Sequence, residues 1–220
     1  MPAFRFDVVA FDLDGTLADT APDIAAGINR MLADFGRPAL AEAAIRPLIG
    51  DGARNLLRRV LVATGGTTEA LLDEAHPRYL DHYAANVCAG TVRYPGVEQA
   101  MDGLAASGAR LAICTNKSER MTRLLVDALG WTDRFAALVC GDTLPVHKPD
   151  PRLLHESVAR AGGGRAVLIG DSMIDAETAR AAGIPFVAVS FGFRDRPVAA
   201  LGADAVIDSY EELIPALRML

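Results

Sequence analysis

Six short runs along the chain are apolar at almost every position: residues 6–11, 110–114, 136–140, 166–170, 185–189 and 205–207. Runs of this length without polar alternation predict strands covered on both faces, as in a parallel sheet. Between the later runs the apolar residues take helical spacing, over 96–107, 118–129, 150–161, 174–182 and 210–219. Gly108, Gly130, Gly162 and Gly183 follow the first four of these segments, where glycine closes a helix by entering the left-handed region. Strand–helix alternation at this spacing predicts βαβ units. The expected class is therefore α/β, with a doubly wound, Rossmann-like parallel sheet.

One interval breaks the alternation. Residues 20–88 show no strand pattern but four helical stretches, 22–36, 41–48, 52–63 and 68–86, punctuated by Pro22, Pro38, Pro47 and Gly65–Gly66. The pattern predicts a helical domain at 18–90, inserted after the first strand of a core made of residues 1–17 and 91–220. The chain has no internal repeat and no low-complexity tract.

Ligands of open parallel sheets sit at the carboxyl ends of the strands. The first strand is followed by Asp12-Leu13-Asp14-Gly15-Thr16, the second by Thr115-Asn116-Lys117. The third leads to Gly141-Asp142 and on to Lys148-Pro149, and the fourth to Asp171, with Asp175 four residues later. Residues i and i+2 of an extended chain point the same way, so Asp12 and Asp14 can face one cleft as nucleophile and proton donor. Asp-x-Asp-Gly also opens calcium loops. Here, however, Thr16, Ala18 and Thr20 are poor intermediate ligands, and Asp23 stands where that loop needs Glu. Asp171 adds a third carboxylate, and an oxygen-rich set of this kind suits Mg²⁺. Asp175 has two open readings. It either orients a metal-bound water or pairs with Lys148, or it is simply an acid in the first turn of a helix. Thr115 offers a hydroxyl where the next helix starts, a seat for phosphate. Lys148 would neutralise a phosphoryl oxygen and Asp12, whereas Lys117 reads as structural or cap-facing.

Charge sharpens this picture. The formal net charge is -6, which argues against nucleic acid or an anionic membrane as partner. An anionic substrate would need local positive charge. Of the 22 Lys+Arg, only Lys117 and Lys148 are lysines, and both follow strands. No apolar run approaches the ~20 residues that span a bilayer, and the segment from Met1 to Asp7 has no signal-peptide pattern. Cys88, Cys114 and Cys140 are odd in number and far apart. They are expected to be reduced thiols in a cytoplasmic protein, Cys114 and Cys140 as small core residues at the ends of apolar runs. His147 reads as a surface-loop residue.

Taken together, Asp12-Leu13-Asp14-Gly15-Thr16-Leu17, Thr115-Asn116-Lys117, Lys148-Pro149 and Gly170-Asp171-Ser172-x-x-Asp175 resemble the haloacid dehalogenase-like phosphohydrolases over nearly the whole chain. The resemblance implies a type 1 helical cap, Asp12 as nucleophile and Asp14 as general acid–base. It also implies a phosphoryl group bound by Thr115 and Lys148 with Asn116 beside them. Mg²⁺ would be held by Asp12, the backbone carbonyl of Asp14 and Asp171. Asp14 argues against dehalogenase chemistry, and no His stands near Thr20–Asp23 as in the mutases. The stretches at 18–24, 48–57 and 82–97 are most similar to the phosphoglycolate phosphatase subgroup. The substrate expected from this is a small phosphorylated metabolite, 2-phosphoglycolate, hydrolysed through an aspartyl phosphate by a monomer or homodimer.

Gly52, Ala53 and Arg54 open a helix whose free N–H groups would face the substrate carboxylate. Arg54 and Arg58, one turn apart, have two open readings, a partner for that carboxylate or a solvated basic face. Asp51 stands where the family more often has Asn, and its charge would repel an acid. Inorganic pyrophosphate or a sugar phosphate are the alternatives within this chemistry. A phospho-acceptor signalling domain would be shorter, would lack the insert and would have no use for Asp14.

Overall fold

The computed structural model describes residues 4–193 and 196–220. The first strand, β1 (Val8–Phe11), runs into a short β2 (Ala18–Asp19). The insert follows as α1 (Ala21–Asp34), α2 (Glu42–Ile45), α3 (Gly52–Ala63) and α4 (Glu69–Ala84). The chain returns through β3 (Val92–Arg93), α5 (Val97–Ala106), β4 (Arg110–Cys114), α6 (Glu119–Ala128), β5 (Ala137–Val139) and α7 (Pro151–Arg160). It ends with β6 (Ala166–Gly170), α8 (Met173–Ala182), β7 (Phe186–Val189), β8 (Ala205–Ile207) and α9 (Leu213–Met219).

The main sheet is parallel, with strand order β5-β4-β1-β6-β7-β8. The order reverses beside β1, so the carboxyl ends of β1, β4 and β6 open onto a crevice. Alternate residues of each inner strand pack to opposite faces. Val9, Phe11, Leu111, Ile113, Val167 and Ile169 join a large core with α5, α6, α9 and the insert. Ala10, Cys114 and Leu168 join α7 and α8 on the other face. Burial on both faces removes the need for polar alternation, which is why these strands read as continuous apolar runs.

Some differences from the expected elements have local causes. The 41–48 helix divides, with α2 ending at Ile45 and a 3₁₀ turn over Arg46–Leu48. Pro47 lacks the N–H that would continue an α-helical ladder. The last helix opens as a 3₁₀ turn, Tyr210–Glu212, before α9. The antiparallel pair β2–β3 has two residues a side, too few to show a period. This pair carries the chain between sheet and insert. Buried Asp23 braces it by accepting bonds from Gly90 N, Thr91 N and Thr91 Oγ1 at 2.7–3.0 Å.

Phe11, fully buried on β1, and Val62, 60% exposed on α3, separate core packing from surface effects. Phe11→Ala should cost about 3–5 kcal/mol in urea unfolding, and Val62→Ala no more than about 0.5 kcal/mol. Comparable losses would contradict this placement of the core.

Candidate active site

Four strand ends bring the predicted residues to one edge. Asp12 continues β1, its N–H donating to Ile169 O at 2.9 Å, and Asp171 continues β6. Between them the chain turns at Gly15, with φ +82°, a region closed to most side chains. A Cβ there would stand 2.5 Å from Asp171 Oδ2, so glycine is also what lets the first loop close onto that carboxylate. Asp171 is further held by Thr16 Oγ1 at 3.2 Å and by the N–H of Phe193.

Lys148 sits under this group, 2% exposed. Its Nζ lies 2.6 Å from Asp175 Oδ1 and 3.0 Å from Asp12 Oδ1. The two open readings of Asp175 turn out to be compatible. It closes a capping box with Ser172 at the start of α8 and pairs with Lys148. With both oxygens engaged by Lys148 and Ser172, it supports the edge from behind.

The second strand end differs from expectation in two respects. Thr115 faces the inner cavity as predicted. The Asn116 side chain is turned away from the cavity mouth: its Oδ1 accepts from Lys148 N at 2.8 Å, and its Nδ2 donates to Lys148 O and to Gly50 O, each at 3.1 Å. The side-chain amide thus ties β4 to the Lys148 loop and to the insert, and a phosphate contact at this residue would fall to its backbone N–H. Lys117 is cap-facing, as expected, through Tyr83 Oη at 2.8 Å. It is also a member of the site, bonding both oxygens of Asp14 at 2.9 and 3.0 Å. Asp14 receives a further bond from Thr20 Oγ1 at 2.7 Å. No spacing rule links residues 14, 83 and 117, but the scarcity of lysine was a usable signal: both lysines of the chain are buried here.

Gly52 and Ala53 line the inner cavity, together with Gly50, Leu56, Tyr79, Leu80 and Tyr83. Arg54 does not line it. Its guanidinium binds Glu69 at 3.0 Å and Asp73 at 2.7 Å, and Arg58 also pairs with Glu69. At a half-exposed helix face these acids outcompete a more distant site. Asp51 faces Arg59, 3.7 Å away, rather than the inner cavity. His147 is exposed on the rim of an outer cleft of about 670 Å³. Burial pushes the thiol of Cys114 up to about 12 and that of Cys140 up to about 11. Like Cys88 they are unpaired, as expected.

Four buried carboxylates, Asp12, Asp14, Asp171 and Asp175, face two buried ammonium groups at this edge. Burial, opposed by Lys148 and aided by Asp175 and Asp14, raises the Asp12 pKa to about 6. Burial, then Asp175 and Asp12, drives Asp171 well above the usual carboxylate range. Asp12 Oδ1 is buried without a well-directed hydrogen bond, although Lys148 is near. Oxygens of Asp12, Asp171 and Asp175 lie within 4.8 Å of one another. One ammonium, Lys148, faces these three acids, and the remaining hard oxygens of Asp12 and Asp171 fit a divalent cation such as Mg²⁺.

Residues 9–189 match the family model of the haloacid dehalogenase-like hydrolases. A protein of Mesorhizobium japonicum named phosphoglycolate phosphatase is 43% identical over 94% of this chain and 92% of its own. One of the same name from Caulobacter vibrioides is 43% identical over 92% of this chain and 86% of its own. The crystal structure of a predicted phosphoglycolate phosphatase from Haemophilus somnus superposes with a TM-score of 0.90 at 28% identity, covering 96% of this chain and 97% of that one. The chain belongs to the haloacid dehalogenase-like hydrolases.

The crowded acids set a pH-dependent metal effect. A carboxyl group whose folded pKa lies above its unfolded value favours the folded state below that unfolded value, and the benefit is lost as pH rises through about 6. The metal-free protein should therefore lose stability between about pH 4 and 6. Saturating Mg²⁺ should raise Tm by about 5–10 °C at pH 7.5 and much less at pH 5. Calorimetry in EDTA and in Mg²⁺ checks this; identical curves at both pH values would contradict it.

Proposed function

We propose that the protein is a Mg²⁺-dependent phosphomonoesterase that hydrolyses 2-phosphoglycolate to glycolate and phosphate. One observation carries the chemistry. Asp12 keeps a buried, poorly bonded oxygen beside the Lys148 ammonium, and Asp14 lines the same cavity. A carboxylate placed in this way is a nucleophile, and its neighbour is within reach of the leaving group.

In the proposed reaction an Asp12 oxygen forms a bond to phosphorus while the ester P–O bond breaks. Asp14 gives its proton to the departing glycolate oxygen. Water then attacks the aspartyl phosphate, Asp14 takes its proton, and Asp12 is released with inorganic phosphate. Lys148 and the Thr115 hydroxyl bind the phosphoryl oxygens. Asp12, Asp171 and the Asp14 carbonyl would hold Mg²⁺, which when bound supplies positive charge that offsets the carboxylates and the phosphoryl group.

The substrate assignment is supported by the named relatives, 43% identical over most of the chain. We propose that residues 18–90 act as a cap on the core of residues 1–17 and 91–220. The cap would swing out to admit substrate and close over it to exclude water. The amide contact of Asn116 with Gly50 would be one latch. The unpaired cysteines are consistent with a reducing compartment, the cytoplasm. Among the described residues no helix is long and apolar enough to cross a membrane.

Initial rates with Mg²⁺ on 2-phosphoglycolate, sugar phosphates and pyrophosphate test the substrate. The highest kcat/KM should fall on 2-phosphoglycolate, and a higher value on another ester would replace it. Asp12→Asn should lower kcat by at least ~10³-fold with an unchanged circular dichroism spectrum. Near-normal turnover would reject Asp12 as nucleophile.

A further inference from the structure

We propose that Lys117, backed by Tyr83 of the insert, binds the carboxylate of the substrate and thereby selects a phosphorylated acid with one carbon between ester oxygen and carboxylate. This rests on the reading of the site as a 2-phosphoglycolate phosphatase. The sequence pattern pointed instead to Arg54, which the structure turns onto Glu69 and Asp73.

Lys117 is the one cation among the described residues that line the inner cavity. Lys148, paired with Asp12 and Asp175, serves the phosphoryl end of the substrate. A second anionic group of the substrate entering between Asp12 and Asp14 meets repulsion from both. The Lys117 ammonium is the compensating charge at that depth. A buried carboxylate without such a partner would be strongly disfavoured.

The donor geometry leaves room for this partner. An ammonium has three N–H groups and rotates freely. Lys117 Nζ reaches both oxygens of Asp14, at 2.9 and 3.0 Å, and Tyr83 Oη at 2.8 Å. Two contacts to one carboxylate are redundant. One N–H can turn to a second carboxylate while Asp14 keeps the other. Tyr83 accepts from Lys117, which leaves its own O–H to donate. Burial holds that phenol well above its usual range, so the proton stays. An arginine would not substitute, because its planar fork favours a single carboxylate.

Chain length follows from the same contact. Asp14 must meet the ester oxygen to protonate it. In 2-phosphoglycolate a single methylene joins that oxygen to the carboxylate, so the carboxylate falls beside the groups that touch Asp14, the Thr20 hydroxyl and Lys117, of which Lys117 is the cation. A longer acid would carry its charge past Lys117, toward the apolar side chains of Leu56, Leu80 and Met121.

The test is steady-state kinetics with Mg²⁺ on 2-phosphoglycolate and on ethyl phosphate, which replaces the carboxylate by a methyl group. Wild type should strongly prefer 2-phosphoglycolate; no preference overturns the substrate reading itself, and this proposal with it. Given that preference, Lys117→Met should erase it, lowering kcat/KM for 2-phosphoglycolate by ~10²-fold, mostly through KM. Its effect on ethyl phosphate should be much smaller. Equal losses on both esters through kcat would show that Lys117 serves Asp14 alone and would overturn the proposal while leaving the substrate reading intact. Should Lys117→Met fail to fold, inhibition decides. Glycolate should compete with ethyl phosphate, ethylene glycol should not, and Tyr83→Phe should weaken glycolate several-fold. Absence of inhibition by glycolate, or no change in Tyr83→Phe, overturns the proposal.

Discussion

The structure turns on the cost of burying like charges together. Asp12, Asp14, Asp171 and Asp175 are each less than a tenth exposed, and bare carboxylates in such surroundings are strongly disfavoured. The fold meets this cost in parts. Lys148 spans Asp12 and Asp175, and Lys117 takes Asp14. The N–H of Phe193 and the hydroxyl of Thr16 hold Asp171. A residual deficit of positive charge remains around Asp12, where a divalent cation fits. The architecture follows from this constraint, because only the joined ends of β1, β4 and β6 can bring so many groups to one edge.

The same contacts couple the insert to the chemistry. Asn116 bridges the Lys148 loop and Gly50 of the insert, while Lys117 bridges Asp14 and Tyr83 of α4. Arg46, just after α2, lies over the Phe193 ring, 4.9 Å from its centroid, and Phe193 donates its N–H to Asp171. Three contacts at the acidic edge thus reach into the insert.

Much of this was legible along the chain. The strands at 110–114, 166–170 and 205–207 and the helix at 52–63 agree with the observed bounds, because short apolar runs and one apolar helix stripe stand out against polar flanks. Asp12, Asp171 and Lys148 were readable because chemistry placed after a strand stands out against an apolar background. The β2–β3 pair was not legible: two residues carry no period, and its pairing is set by the distant partner and by Asp23. The partners of Arg54 were not legible for a related reason. The sequence shows that it starts a helix, not that Glu69 and Asp73 wait on the neighbouring one.

The chain alone determined the alternation that makes a parallel sheet, the insertion point of the helices and the order in which acids, hydroxyl and lysine follow the strands. These are local properties, set by side-chain period and by the residue after each strand. Only the tertiary structure decided partners. It tied the Asn116 amide to the Lys148 loop, drew Lys117 onto Asp14 and Tyr83, and gave Asp175 to both Ser172 and Lys148. Which charge meets which, across gaps of tens of residues, depends on how strands and helices close in space, and no local pattern carries that.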